Sequence, residues 1–253
     1  MVKIKTAKEI EILREGGRRL SHVLREVASK VKVGMTKIEI DKMAEDLILE
    51  GGDLPAFKNY KPAGSRVAFP AVLCISVNEE IVHGIPNSYK IREGDIVGLD
   101  LGIKHRGMYT DMAITIGMGN IDKEAERLIE VTSQALEVGI MAAVAGNYTG
   151  DIGHVIESFV RPYKYGIVRE LSGHGVGHKI HEDPYVPNYG KPGTGLKLKP
   201  GMVLALEPMI NEGDDDIVLA EDNFTFKTRD GSRSAHFEKT ILITDGEPEI
   251  LTP

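Results

Sequence analysis

Residues 96–116 read IVGLDLGIKHRGMYTDMAITI, and this stretch decides the fold. Two runs rich in apolar and β-branched residues flank a short polar segment with a glycine, which is the pattern of a β-hairpin. Asp100 lies in the first run and Asp111 in the second. With the hairpin tip centred between His105 and Arg106, the two carboxylates lie directly opposite each other, with Cβ atoms roughly 5 Å apart.

Two carboxylates placed in this way need a counter-charge. Like charges opposite each other destabilise a sheet, and burial of unpaired carboxylates adds a further desolvation cost. A divalent metal ion that prefers oxygen ligands would relieve both costs, so the hairpin predicts a metal site. The alternative is a bulge near Gly102 or Gly107 that shifts the register and leaves Asp100 and Asp111 solvated at the rim.

Two further carboxylates lie at the ends of apolar, strand-like runs. Glu207 ends the run LALE, and Glu238 begins the run EKTILI. A single acidic residue on a strand is usually exposed. Two of them beside a candidate metal hairpin favour a shared, carboxylate-rich site.

Three histidines fall within residues 174–181, in the sequence HGVGHKIH. His174 and His178 have the i, i+4 spacing of a zinc-binding helix, but the intervening glycines are poor helix formers and the Glu of the H-E-x-x-H motif is missing. We therefore expect a glycine-rich loop or strand that brings imidazoles to the site. His83 ends an apolar stretch in a Gly/Pro loop, where functional side chains are common. Ordinary surface or core packing is expected for His22, His154 and His236.

Composition limits the class of protein. The 253 residues include 31 basic and 38 acidic ones, for a formal charge of −7, with no basic tract and no Trp, so we expect neither a nucleic-acid nor a membrane partner. The single cysteine, Cys74, excludes an internal disulfide and a Cys-based zinc finger. Since no run of eighteen apolar residues and no secretory signal occur, the sequence predicts a cytoplasmic protein.

The order of predicted elements repeats once along the chain. Capping-box signals at Thr6 and Thr36 precede two helices and a set of strands, and a second pair of helices and set of strands follow. We expect one α/β unit, a single catalytic domain of residues 1–253 with two similar halves of approximately 1–118 and 119–253. The halves share element order, not residue-level repeats.

Together these residues resemble the type I, bacterial-like methionine aminopeptidases over essentially the whole chain. The matching segments are 74–86, 100 with 111, 173–184, 207–208 and 238–240. The resemblance implies an α/β (α+β) pita-bread fold, in which helices cover an antiparallel sheet and two halves are related by a pseudo-twofold axis. The short span from His174 to Glu207 leaves no room for the long insertion of the type II form.

The same resemblance implies a role for each site residue. The metal ligands would be Asp100, Asp111, His174, Glu207 and Glu238. Asp111 and Glu238 would bridge two divalent ions, and this ligand set suits Co, Mn, Fe or Zn without selecting one. Glu207 would also be the general base toward a metal-activated water. His181 would stabilise the oxygen of the tetrahedral intermediate, and His83 would hydrogen-bond the scissile amide.

The resemblance also implies a methionine-sized apolar pocket walled by Phe69, Cys74 and Phe224. The chain departs from the family pattern around it. Arg66 and Val67 stand where Tyr-His is common, Ile180 replaces an aromatic residue, and Phe224 stands where some relatives have Trp. The alternative for the two phenylalanines is ordinary core packing, and we expect Cys74 to be a buried, unreactive thiol.

The implied activity is metal-dependent hydrolysis that removes the N-terminal methionine of nascent polypeptides when the second residue is small. We expect nascent N-termini and, transiently, the ribosome as partners of a cytoplasmic monomer. Because Val2 is small, the enzyme could remove its own Met1. Two alternatives remain: a non-catalytic binding module, which would lack several of the five ligands, and the proline-specific branch of prolidase and aminopeptidase P, which usually carries an extra N-terminal domain.

Overall fold

The structure is a computed structural model that describes residues 2–61 and 67–253. Its α-helices within these ranges are α1 (Ala7–Lys30), α2 (Lys37–Glu50), α3 (Lys123–Ala142) and α4 (Thr149–Val160), and a 3-10 turn, Arg161–Tyr163, follows α4. None of these helices combines the length and apolarity that crossing a bilayer requires.

The strands of the described residues are mostly short. They are β1 (Leu54–Pro55), β2 (Leu73–Val77), β3 (Glu80–Val82), β4 (Ile96–His105), β5 (Met108–Gly117), β6 (Gly166–Ile167), β7 (Gly173–Gly175), β8 (Glu182–Val186), β9 (Val203–Leu206), β10 (Met209–Asn211), β11 (Ile217–Leu219), β12 (Phe226–Thr228), β13 (Ser234–His236), β14 (Glu238–Leu242) and β15 (Glu249–Ile250).

Side-chain caps start the helices where the sequence predicts. Thr6 and Thr36 each accept a hydrogen bond from the backbone N–H three residues on, and the carboxylates of Glu9 and Glu39 accept from the backbone N–H of these threonines, so both capping boxes are confirmed. Asp122 caps α3 in the same way through its own carboxylate. Each cap contributes about 1 kcal/mol to helix stability.

One large antiparallel sheet runs through the described residues. Its order is β1-β4-β5-β14-β9-β7-β8, with β2 also paired to β4 and β15 also paired to β14. Two smaller sheets, β13-β10-β6 and β11-β12-β3, complete the architecture. Because β5 pairs with β14, strands from distant parts of the sequence meet at the centre of the sheet. The mixed α/β architecture with antiparallel sheets confirms the predicted fold class.

The register of the β4–β5 hairpin differs from the prediction. Asp100 pairs with Ala113 and Asp111 pairs with Gly102, so the two carboxylates are diagonal neighbours rather than directly opposite. They stay on the same face because the pairing moves by two residues and side chains alternate with a period of two. The bulge alternative is also wrong: the ladder is continuous, and Asp100 and Asp111 are only 8% and 2% exposed.

The turn at the hairpin tip explains this difference. The last pair is His105 with Met108, which leaves Arg106 and Gly107 as a two-residue loop with φ values of 46° and 93°. Positive φ at both positions is the requirement of a type I′ turn, which matches the twist of the flanking strands and favours glycine. The tip therefore lies one residue further along the chain than predicted.

Apolar cores lie on the sheet at both ends of the chain. One joins α1 and α2 to β2, β4 and β5, and another joins α3 and α4 to β9, β10 and β14. A third core draws on both regions and includes Leu13, Phe69, Val176 and Phe224. Since burial of one such side chain contributes about 1.5–3 kcal/mol, these cores hold the central strands in register.

Candidate metal centre and active site

A single cavity collects all ten residues that the sequence places at the site. Its lining is Phe57, Tyr60, Phe69, Cys74, His83, Asp100, Asp111, His174, His181, Glu207, Phe224 and Glu238. Phe57 and Tyr60 are the two that sequence reasoning missed. They lie in irregular chain just after β1, where no periodicity or charge pattern marks them.

Pairing across three neighbouring strands brings the carboxylates together. Ala113 on β5 pairs with Asp100 on one side and with Glu238 on the other, so these three side chains form a row on one face. Asp111 precedes Ala113 by two residues and shares that face. The small methyl group of Ala113 leaves the space between the carboxylates open. Glu207 follows directly after β9 and closes the group.

Burial and mutual repulsion dominate the electrostatics of this group. Burial raises the pKa of Asp100, Asp111, Glu207 and Glu238 well above the ordinary values, and the charges of the neighbouring carboxylates raise it further. Oδ1 of Asp100 and Oε1 of Glu238 are buried without a hydrogen-bond partner in residues 2–61 and 67–253. Buried oxygens of this kind need either a proton or a cation, because isolated buried carboxylates are costly.

His174 faces the carboxylates with the correct nitrogen for a metal ligand. Its Nδ1 lies 2.9 Å from the carbonyl oxygen of Gly175, to which it donates, and this leaves the Nε2 lone pair free. Nε2 lies 3.5 Å from Oε1 of Glu207, 3.9 Å from Oε1 of Glu238 and 4.0 Å from Oδ2 of Asp111. An ion with ligand bonds of about 2.0–2.2 Å fits between atoms at these separations.

The potential ligand atoms form overlapping groups. Three sets have ligand atoms within 4.8 Å of one another: Asp111, His174 and His181; His174, Glu207 and Glu238; and Asp100, Asp111 and Glu238. Glu238 belongs to two of these sets, and so does Asp111. The residues therefore fit a centre of two divalent ions in which some ligands are shared.

Local close packing explains why glycines flank His174. A Cβ atom on Gly173 would lie 2.5 Å from the carbonyl oxygen of Ala205, and one on Gly175 would lie 2.2 Å from that of Asp183. The residues 173–175 form β7, between β8 and β9, so the expectation of a glycine-rich loop or strand is confirmed and the zinc helix is wrong.

His83 also lines the cavity, and its backbone is constrained. Its φ is 59°, an uncommon value for a residue with a side chain. The carbonyl oxygen of Gly84 accepts a 2.9 Å hydrogen bond from the N–H of Ile75, and that of His83 faces Oγ1 of Thr225 at 3.4 Å. Burial lowers the pKa of His83 to about 4, so its imidazole is neutral at pH 7.

His181 lies exposed at the mouth of the cavity. Its ring contacts that of His174 at a centroid distance of 4.5 Å, edge to face. Its Nδ1 lies 2.9 Å from the hydroxyl of Tyr60, which fixes the direction of the other ring nitrogen. The structure thus brings both accessory histidines to the same cavity as the carboxylates.

An apolar wall borders the carboxylates. The rings of Phe69 and Phe224 meet edge to face at 5.4 Å, and Phe57 meets Phe69 at 6.4 Å. Phe69 and Phe224 line the cavity and also belong to the third core, and their role as walls of a methionine pocket stays a prediction. Cys74 is a buried free thiol as expected, and burial raises its pKa well above the ordinary value.

Of the departures from the family pattern, Phe224 forms part of this wall, whereas Val67 and Ile180 do not line the cavity. Ile180 is buried in the third core behind the cavity, and Val67 is 52% exposed. Arg66 lies outside the described residues. The apolar wall of the cavity therefore consists of Phe57, Tyr60, Phe69, Cys74 and Phe224.

His236 is an additional imidazole that sequence reasoning left in ordinary packing. It is buried, and its Nε2 lies 3.5 Å from Oε2 of Glu207. Burial, together with the charges of His83 and His174, lowers its pKa to about 3. The available signal was its position two residues before Glu238, but a break at Phe237 separates His236 in β13 from Glu238 in β14.

Four buried carboxylates, an imidazole with a free Nε2 and an adjoining apolar pocket define a metal-dependent hydrolase with a site for two ions. The model of metallopeptidase family M24 matches residues 11–245. The chain belongs to the methionine aminopeptidases of that family. Its sheet and helices form their pita-bread fold.

The similarity to individual methionine aminopeptidases extends over the full chain. That of Clostridium perfringens is 43% identical over 100% of this chain and 99% of its own length. Methionine aminopeptidase 1 of Bacillus subtilis is 42% identical with the same coverage. The crystal structure of the Thermotoga maritima enzyme superposes with a TM-score of 0.95 at 42% identity, covering 100% of this chain and 99% of that one.

A more distant likeness concerns the proline-specific peptidases. The prolidase of Pyrococcus horikoshii has a TM-score of 0.78 at 23% identity and covers 99% of this chain but 63% of its own. At this identity the likeness shows a common fold and nothing more.

Proposed function

We propose that this protein hydrolyses the first peptide bond of polypeptides that begin with methionine, with two divalent ions as cofactors. The observation that carries this proposal is the buried set of unpaired carboxylates around Nε2 of His174, beside an apolar pocket. Co, Mn, Fe and Zn all suit oxygen-rich ligands with one imidazole. The alternative of a non-catalytic binding module is disfavoured because all five predicted ligands are present and adjacent.

The ligands of the two ions are proposed to be Asp100, Asp111, His174, Glu207 and Glu238. Asp111, Glu238 and His174 each belong to two of the potential ligand groups, but only a carboxylate has two oxygens to share, whereas His174 offers Nε2 alone. Asp111 and Glu238 are therefore the residues that would be shared between the ions. Bound there, divalent ions supply Lewis-acid polarisation of the scissile carbonyl and lower the pKa of a water molecule.

Three side chains are proposed to handle protons and orient the substrate. Glu207 takes a proton from the attacking water at one carboxylate oxygen and delivers it to the leaving amine. The neutral imidazole of His83 hydrogen-bonds the scissile amide from its side of the cavity. His181, whose Nδ1 is occupied by Tyr60, presents its other nitrogen to the carbonyl oxygen as negative charge develops there.

Selectivity for methionine is proposed to arise at the apolar wall. Phe69, Cys74 and Phe224 line the same cavity as the carboxylates and give it an apolar wall. A flexible, polarisable thioether fills such an irregular aromatic site well. A small second residue is proposed because His83 and His181 line the same cavity as the carboxylates and would flank the scissile bond.

The setting of the reaction follows from its substrate. We propose a cytoplasmic monomer, a single catalytic domain with halves of approximately 1–118 and 119–253, which acts on nascent N-termini with transient ribosome association. The separate cores around α1–α2 and α3–α4 support the two halves. Ribosome association is testable by co-sedimentation with translating ribosomes. Met1, which lies outside the described residues, is testable as a self-processing site by intact-mass measurement of untagged protein.

The deciding experiment compares three peptides with purified protein supplied with Mn, Co or Fe. Met-Ala-Ser should be cleaved and Met-Lys-Ser spared, and an Xaa-Pro substrate should not turn over. Cleavage of the Xaa-Pro substrate alone would move the protein to the proline-specific branch. Absence of turnover with every divalent ion would reject the hydrolase.

A further inference from the structure

We propose that His236 is a positioning residue that holds the carboxylate of Glu207 by donating a hydrogen bond from Nε2 to Oε2. This inference rests on the proposed function, because it gives Glu207 its working orientation as ligand and base. His236 itself belongs to none of the potential ligand groups formed by the described residues.

The two oxygens of Glu207 face two different imidazoles. Oε1 lies 3.5 Å from Nε2 of His174, on the side of the other ligands, and Oε2 lies 3.5 Å from Nε2 of His236. Nε2 of His236 is buried and has no hydrogen-bond partner within residues 2–61 and 67–253. A shift of a few tenths of an ångström by the carboxylate brings the pair into the usual range of about 2.7–3.2 Å.

The backbone of His236 is held at both of its polar groups. The N–H of His236 donates to Oγ1 of Thr115 at 2.9 Å, and that hydroxyl lies 2.8 Å from the carbonyl oxygen of His236. His236 also pairs with Met209, two residues beyond Glu207. A histidine held at both backbone groups is a stable donor, so it can restrict rotation of the carboxylate about its last side-chain bond.

Restricted rotation has a defined consequence at the site. With Oε2 engaged by His236, Oε1 remains directed at the side of His174 and Glu238. Partners that orient a metal-binding side chain in this way affect metal affinity or activity by about 10–100-fold.

The test exploits the different reach of two amides. The side-chain amide of Gln places its nitrogen near the position of Nε2, whereas that of Asn reaches only the position of Nδ1. We therefore compare His236→Gln, His236→Asn and His236→Leu with His22→Gln, an exposed position on α1, as the control. Measured quantities are the affinity for Mn by calorimetric titration, and kcat and KM for Met-Ala-Ser at saturating Mn.

Loss of the donor should weaken Mn binding or lower kcat by about 10–100-fold in the Asn and Leu variants, with KM nearly unchanged. The Gln variant should recover most of the loss, and the control should match the wild type. Equal behaviour of the Gln and Asn variants, whether both impaired or both unimpaired, overturns the proposal, and this comparison survives failure of the Leu variant to fold. If the wild type binds Mn but cleaves no methionyl peptide, the proposed function fails, and the titrations still decide the role of His236.

Discussion

Two buried acidic regions of this molecule differ in whether the chain itself supplies a cation to the carboxylates. Near the N-terminus, Glu182 lies 2.7 Å from Nζ of Lys5, and both side chains are less than a tenth exposed. The carboxylate also accepts the N–H of Lys179 at 2.8 Å. Burial raises the pKa of Glu182, but the hydrogen bond and charge of Lys5 outweigh it, so the pKa lies below its ordinary value.

The metal centre lacks any such partner. No Lys or Arg of the described residues forms an ion pair with Asp100, Asp111, Glu207 or Glu238, and their pKa values are raised. The difference teaches how to distinguish a structural carboxylate from a functional one. Where the chain provides its own cation, burial serves the fold, and where it provides none, burial indicates an ion from outside.

The largest expected effect comes from breaking the unpaired group. Asp111→Asn should reduce cleavage of Met-Ala-Ser to below about one-thousandth and remove bound metal, because a shared ligand loses its charge. Elemental analysis after dialysis and initial rates check this. The matched control is Glu182→Gln, a buried carboxylate outside the ligand set, which should keep its metal content. Equal metal loss in the two variants would contradict the distinction.

Breaking the paired group should instead reduce stability. Lys5→Met leaves Glu182 buried without its cation and should lower the free energy of unfolding by about 3–5 kcal/mol in urea titrations. Metal affinity should stay within error of the wild type. The double variant Lys5→Met, Glu182→Met should recover much of the loss, and if it does not, the ion pair is not the cause.

Adding a divalent ion tests the same comparison by supplying the cation that the metal centre needs. A divalent ion at a hundred times its dissociation constant should raise the free energy of unfolding by about 2.7 kcal/mol, since it binds only the folded chain. Urea titrations with and without Mn measure this gain. Asp111→Asn should show no gain and Glu182→Gln the full gain; a gain in both would place the ion elsewhere.

The pH dependence of the metal-free protein gives the smallest effect. Burial raises the pKa of the four carboxyls. At a pH above the ordinary pKa values of 3.8 and 4.5, the folded state therefore holds protons that the unfolded state has lost. The free energy of unfolding then falls as pH rises. Histidines with lowered pKa values act in the opposite direction below about pH 6.5, so the suitable window is pH 7 to 8. Over that one pH unit, the free energy of unfolding should fall by about 1.4 kcal/mol for each proton retained. The fall should disappear when Mn is bound. Glu182, ionised in both states, adds no slope, and a metal-free stability that rises with pH would contradict the shifts.

Much of the site was predictable because its residues carry local signals. Carboxylates on apolar strands and glycines around His174 mark positions whose chemistry conflicts with ordinary packing. The starts of α1 and α2 followed from the capping boxes at Thr6 and Thr36. The predicted position of the hairpin tip was wrong by one residue because the loop is a type I′ turn at Arg106 and Gly107, of which only Gly107 favours positive φ.

The residues that were missed depend on tertiary structure. Tyr60 lies in irregular chain. The tertiary structure brings its hydroxyl to within 2.9 Å of Nδ1 of His181. His236 reaches Glu207 because β13 belongs to a different sheet from β14, although only Phe237 separates them. Sheet membership on either side of one residue is a property of the whole fold, and no local pattern encodes it.

The methyl group of Ala113 lies between Asp100 and Glu238 in the row across three strands. The size of the side chain at position 113 therefore tests how much space the centre needs. A valine there would keep every ligand and every charge yet occupy room that the ions need, so it would separate the space available to the ions from the chemistry that attracts them.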